Sequence, residues 1–288
     1  MSLTKYAVVI LLSLGLKAQA AEFPDLSTVP EDLSILPLST GEPAAGKRVS
    51  QTTEGWQGTA VHHLVYLPTD WKVGEHYPVL VEYAGNGGYK NKYGDVSEGV
   101  VEGSRLGYGI SAGKGFIWIC LPYVETKNGV KGNAPLWWGD VAETKRYCIA
   151  TIKDVCTRYG GDASRLILCG FSRGSIGCNF IGLHDDEIAT LWRGFVCHSN
   201  YDGVIEKWPY ADAGRATALQ RLKRLKGRPQ FITQEQGTTD IEAWISSAGI
   251  EGDFTFVPIP FRNHSDAWVL RDLPERKQLR EWVAKVVK

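Results

Sequence analysis

The sequence predicts an α/β protein with a mostly parallel central sheet and helices on both faces, and three observations lead there. Apolar runs of strand length alternate with longer segments of helical period along most of the chain, the order that lays helices over both faces of a parallel sheet. The strand-like runs are nearly continuous in Val, Ile, Leu and Phe, as strands buried on both faces are. The 288 residues, 43% hydrophobic and 22% charged, suffice for one large core.

Residues 1–20 join a basic Lys5, an apolar stretch from Tyr6 to Leu16 and Ala18-Gln19-Ala20 as a small-x-small cut. That stretch is too short to span a bilayer and reads as a secretory signal peptide. A secreted or periplasmic location is therefore expected, with no stable membrane insertion after cleavage. Residues 21–59, with many Pro, Ser and acidic positions and no sustained period, read as an irregular leader. Residues 60–288 form the expected folded domain.

Within that domain, strands are predicted at His62–Pro68, Tyr77–Gly85, Gly115–Tyr123, Arg165–Gly170, Gly194–Asn200, Pro229–Gln234 and Phe254–Pro260. A helix is predicted over Val141–Tyr159, where Val141, Cys148, Ile152, Val155 and Tyr159 make one apolar face. A short helix follows at Ser175–Leu183, another at Arg215–Lys226, and a last one begins near Pro274, whose missing N–H costs little in a first turn.

Lys+Arg 32 against Asp+Glu 32 leaves no global field to gather polyanions, so nucleic acid is not an expected partner. The six cysteines sit in mid-chain without a C-x-x-C pair or histidines at metal spacing, and no metal site is expected. Export makes disulfides chemically accessible, but the spacing selects no pairing.

The segment LILCGFSRGSIG places a strand, a sharp turn and a helix around Gly170-Phe171-Ser172-Arg173-Gly174. The glycines let such a turn pack closely, the bend lifts Ser172 Oγ above the strand end, and the Arg173 N–H at the next helix's positive end can receive an oxyanion. Ser172 is thus the candidate nucleophile. A second oxyanion donor is expected in AGNGGYKN, after the Tyr77 strand, with Asn86 first and Gly87 next. The base is expected to be His264, after the last strand, with His198 as its rival. Asp240, after the Phe231 strand, is the expected orienting acid; Asp202 is the main alternative, and Asp266 lies close to His264 in sequence.

With the order Ser172, Asp240, His264, the stretch HHLVYLPTDWKVGEHYPVLVEYAGNGG and the stretch YGGDASRLILCGFSRGS, the chain resembles the α/β-hydrolase superfamily from about His62 to Lys288. Within it, it is most similar to secreted polyhydroxybutyrate-depolymerase-like and feruloyl or acetylxylan-type esterases. Such members usually carry a histidine before the oxyanion-loop glycines, where this chain has Ala84, Gly85 and Asn86. The resemblance implies an α/β-hydrolase fold and serine ester hydrolysis through an acyl-enzyme, without metal or organic cofactor.

Trp137, Trp138 and Trp268 are candidate substrate walls, with Tyr89, Tyr93 and Tyr123 also near predicted strand ends. A carbohydrate-linked or aromatic ester is the expected substrate. An exported serine peptidase and a non-catalytic carbohydrate-binding or adhesive protein are the alternatives. Arg262 reads either as a contact for an anionic substrate or as half of a surface ion pair.

Overall fold

The computed structural model describes residues 22–288, and the predicted signal peptide lies outside them. The apolar runs become a nine-stranded sheet built from β1 (Leu38–Ser39), β2 (Arg48–Gln51), β3 (His63–Tyr66), β4 (Tyr77–Tyr83), β7 (Ile117–Leu121), β10 (Gly161–Phe171), β11 (Gly194–His198), β12 (Gln230–Glu235) and β13 (Phe254–Ile259). Two small antiparallel hairpins lie outside it: β5 (Tyr89–Lys90) with β6 (Val96–Ser97), and β8 (Val124–Lys127) with β9 (Val130–Asn133). The order is β1-β2-β3-β7-β4-β10-β11-β12-β13. From β7 to β13 every pairing is parallel, and β3 runs antiparallel to both neighbours.

Two-residue alternation sorts each strand's side chains between two cores. In β4, Val79 and Val81 face one core while Leu80 faces the other. The first core packs under α2 (Val141–Tyr159), α3 (Arg173–Phe180), α5 (Arg215–Leu222) and α6 (Thr239–Ala248), through residues such as Ile152, Ile176, Leu222 and Trp244; the short α4 (Asp186–Ala189) adds Ile188. The second packs under α1 (Leu106–Ser111) and α7 (Pro274–Val286), through Leu106, Ile110, Leu279 and Val283. Helix α2 has the predicted bounds. The Asp140 side chain accepts the Glu143 N–H at its start, and Gly160 ends it at φ 74°, where a Cβ would meet the Glu75 carbonyl oxygen at 2.2 Å.

Two expectations need correction here. The leader read as irregular contains β1 and β2, so the sheet begins before residue 60; two and four residues are too short for a periodicity to register. Helix α6 is the second: Asp240, expected to be an acid beyond a strand end, lies in this helix's first turn. Among the described residues all six cysteines are free thiols, and no helix is long and apolar enough to cross a membrane.

The bend between β10 and α3 depends on two close approaches. A Cβ on Gly174 would lie 1.9 Å from the Tyr83 carbonyl oxygen, and one on Gly170 would lie 2.2 Å from the Gly174 carbonyl. Gly174→Ala is therefore expected to cost about 3 kcal/mol or more, since overpacking against backbone cannot relax by a rotamer change. Gly214→Ala, where a Cβ meets nothing within 4 Å, is the matched control. Thermal unfolding of both checks this: a large loss for Gly174→Ala and little change for Gly214→Ala.

Candidate active site

Ser172 sits at the bend with φ 54° and ψ −110°, as N-cap of α3, and its N–H is held by the His198 carbonyl at 2.8 Å. Left-handed φ in a residue other than Gly, Asn or Asp is unfavourable, and it persists only where surrounding packing over-determines it. Of six such residues among the described ones, four lie at or beside this bend: Trp137, Ser172, Ser199 and Gln236. Backbone strain is concentrated where the candidate chemistry lies.

The Ser172 hydroxyl is 2.9 Å from His264 Nε2, and His264 Nδ1 is 2.6 Å from Glu235 Oε1. Glu235 ends β12, so its side chain leaves the sheet at the edge where the β13 loop delivers His264. Burial raises the Glu235 pKa, but the hydrogen bond and charge of His264, the His198 ring and the Ser199 hydroxyl outweigh it and bring it down to about 2. A carboxylate charged throughout the neutral range thus accepts the Nδ1 proton, leaving Nε2 with a lone pair toward Ser172.

This geometry corrects the expected acid. Asp240 lies exposed in the first turn of α6, and Glu235, five residues earlier, occupies the place assigned to it. Asp202 is buried in an ion pair with Arg221 at 2.7 Å, and Asp266 pairs with Arg105 at 3.3 Å. The rival base His198 is fully buried and pushed down to about 4 by desolvation. Its Nε2 donates to the Ser265 carbonyl at 3.0 Å and its Nδ1 accepts from the Thr233 hydroxyl at 2.9 Å. It steadies the histidine loop and has no nitrogen left for Ser172.

A cavity of about 370 Å³ opens over Ser172, with Asn86, Gly87, Tyr89, Trp137, Arg173, Ile176, Asn200, Trp208 and His264 in its walls. Among the described residues, the Asn86 and Arg173 N–H groups donate to no protein acceptor and remain open to a ligand oxygen. Gly87 does not fit the donor role, because its N–H is held by the Pro135 carbonyl at 2.8 Å. The Asn86 side-chain oxygen accepts the Trp137 N–H at 2.7 Å, fixing the oxyanion loop against the tryptophan wall. Of the three tryptophans singled out, only Trp137 lines the cavity. Trp138 is buried and stacked on Phe180 with ring centroids 4.4 Å apart, and Trp268 is wholly buried against His198. Trp208, which no sequence pattern flagged, stands with Trp137 at 5.3 Å.

Among the described residues the buried Arg173 guanidinium has no carboxylate partner, and desolvation lowers its pKa to about 10, so it stays charged at neutral pH. It donates to the carbonyls of Ala134, Trp137 and Gly99 at 3.2, 2.9 and 3.2 Å and stacks over the Tyr123 ring at 4.1 Å. One side chain thereby ties the nucleophile turn to the two loops that frame the cavity.

The histidine loop is clamped from the opposite side. Asp95, in the loop joining β5 to β6, accepts the His264 N–H and the Asn263 amide, both at 2.9 Å; the Asn263 oxygen in turn accepts the Leu26 N–H at 2.7 Å. Arg262 pairs with Asp25 at 3.1 Å and covers the Tyr93 ring at 4.6 Å. It is an ion-pair residue joining the leader to this hairpin. Asp95→Ala is expected to lower kcat by about 10–100-fold, with KM within about twofold, because it loosens the base while leaving the tryptophan wall in place. Steady-state kinetics on a chromogenic ester, beside an unchanged circular dichroism spectrum, check this.

No family model and no curated protein matches the chain. Solved structures do. An esterase from Rhizomucor miehei superposes with a TM-score of 0.57 at 12% identity over 85% of this chain and 84% of its own. An S-formylglutathione hydrolase from Agrobacterium tumefaciens gives 0.53 at 17% identity, over 88% and 100%. A putative dipeptidyl aminopeptidase IV from Bacteroides ovatus gives 0.54 at 16% identity over 84% of this chain, which spans only 35% of that longer protein. With its mostly parallel sheet, helices on both faces and these structural neighbours, the chain has the α/β-hydrolase fold.

Proposed function

We propose that the protein is a serine hydrolase of carboxylic esters, working through an acyl-enzyme on Ser172. The observation that carries this reading is the continuous relay from Ser172 Oγ to His264 Nε2 at 2.9 Å and from His264 Nδ1 to Glu235 at 2.6 Å, on a strained turn that opens into a cavity with two free N–H groups. His264 takes the Ser172 proton as Oγ attacks the ester carbonyl, and Glu235 stabilises the resulting imidazolium. The Asn86 and Arg173 N–H groups receive the developing oxyanion. The C–O bond then breaks as His264 returns the proton to the leaving alcohol. Water, activated by the same imidazole, releases the acid and restores Ser172.

The walls indicate the substrate. Trp137, Trp208, Tyr89 and Ile176 offer an apolar and aromatic face beside Ser172, suited to an aromatic acyl group or to stacking against a sugar. A carbohydrate-linked or aromatic ester is accordingly the proposed class, and the signal peptide read in residues 1–20 makes an exported enzyme the proposed setting. The structural likeness to peptidases brings amide cleavage by the same relay as the second reading.

Ser172→Ala is expected to lower kcat/KM on chromogenic esters by at least about a thousandfold while leaving thermal unfolding within a few degrees. A panel of acetylated sugars, feruloylated sugars, short hydroxyacid oligomers and peptides, run with both proteins, tests class and nucleophile together. Efficiency on peptides about 100-fold above every ester, roughly 2.7 kcal/mol of transition-state binding, replaces the ester reading with the peptidase one. Turnover retained in Ser172→Ala removes Ser172 from the mechanism.

A further inference from the structure

A second groove, about 390 Å³ in volume, adjoins the cavity over Ser172. Its walls include Asn200, Ile205, Gln234, Glu235, Gln236 and Asp240. Asn200 lines both spaces. Its backbone is pinned from two sides: the N–H donates to the Gln234 side chain at 2.7 Å, and the carbonyl accepts the Ser175 hydroxyl at 2.6 Å. Its φ is 72°. Among the described residues no protein group bonds the Asn200 carboxamide, so a firmly held residue carries a free donor and acceptor at the border of the two spaces. Gln236, at φ 65°, and Asp240 likewise expose side chains without a protein partner among the described residues.

The chemistry of these walls selects a ligand. No Lys or Arg lines the groove, and Glu235 and Asp240 oppose an anion. Free amides both donate and accept, the Asp240 carboxylate accepts, and Ile205, 42% exposed, adds an apolar strip. That combination matches a neutral polyol with an apolar C–H face. The groove meets the Ser172 cavity at Asn200, so the half of an ester that lies away from the tryptophan wall can extend into it.

We propose that this groove is the subsite for the alcohol half of the substrate, a sugar, while the acyl half lies against Trp137 and Trp208, with Asn200 touching both. The orientation rests on the ester-hydrolase reading above; the sugar-binding groove itself does not.

The test uses two esters of one acid, methyl cinnamate and cinnamoyl cellobiose, and the double variant Asp240→Ala/Gln236→Ala. The wild-type protein is expected to favour the disaccharide ester by at least about tenfold in kcat/KM, and the double variant to bring that ratio below about twofold, a loss of at least roughly 1 kcal/mol of differential transition-state binding. A wild-type ratio near one, or a ratio the double variant leaves intact, overturns the assignment. Free cellobiose titrated into the Ser172→Ala protein, read by amide chemical shifts, separates the two claims. Shifts centred on Asn200, Gln236 and Asp240, lost in the same protein carrying the double variant, support the groove even if no ester is cleaved, in which case the ester-hydrolase reading is what fails. Absence of those shifts at millimolar cellobiose overturns the groove even if esters are cleaved.

Discussion

The close contact between the nucleophile turn and strand β4 is the constraint from which the site follows. With 1.9 Å between a would-be Cβ on Gly174 and the Tyr83 carbonyl, α3 can start only if that residue is glycine. The chain then has no room to relax Ser172 out of its left-handed conformation. A non-glycine residue held there costs of order 1–3 kcal/mol, borne by the packing of the central strands around it. In return Oγ stands at the C-terminal edge of the sheet, at the start of a helix whose first N–H is free. In an open parallel sheet this is the edge where ligands bind.

Around that turn, environment assigns different work to like residues. Two histidines lie near the C-terminal sheet edge, yet His198 is sealed in the core, neutral, and bonded at both nitrogens, whereas His264 faces the cavity between Ser172 and a charged carboxylate. Carboxylates divide in the same way. Glu235 is held charged by its histidine, Asp202 is taken by Arg221, and Glu82 in β4 is pushed up to about 7, by burial first and by the Asp266 charge, against three backbone N–H donors at the start of α1. The buried Arg173 charge lies behind the turn and draws in carbonyls from the framing loops, so the walls and the nucleophile are positioned by one side chain.

Much of this was legible in the sequence because it depends on local signals. The parallel sheet, helix α2 and the strand–turn–helix at Ser172 follow from apolar runs, one helical apolar face and glycine spacing. His264 followed from its place after the last strand. The acid does not: Asp240 fits the same chain order, whereas Glu235 stands at the very end of the predicted Pro229–Gln234 strand's continuation. Its position was the available signal. Trp208, Asp95 and Asn200 carried none: each matters through contacts with residues distant in sequence, as when Asp95 meets His264 across 169 positions. The tryptophan pair misled in a similar way. Adjacent side chains diverge, and only packing shows that Trp137 turns to the cavity and Trp138 to Phe180.

In the proposed mechanism His264, with Glu235 and not Asp240 behind it, activates Ser172. The rate of covalent labelling by a fluorophosphonate, followed by intact-protein mass, reads nucleophile activation directly and needs no knowledge of the substrate. The account predicts that Glu235→Gln slows labelling by about 100-fold or more, because the imidazole loses the charge that orients it, while Asp240→Asn labels at the wild-type rate. Labelling slowed by Asp240→Asn and untouched by Glu235→Gln contradicts it.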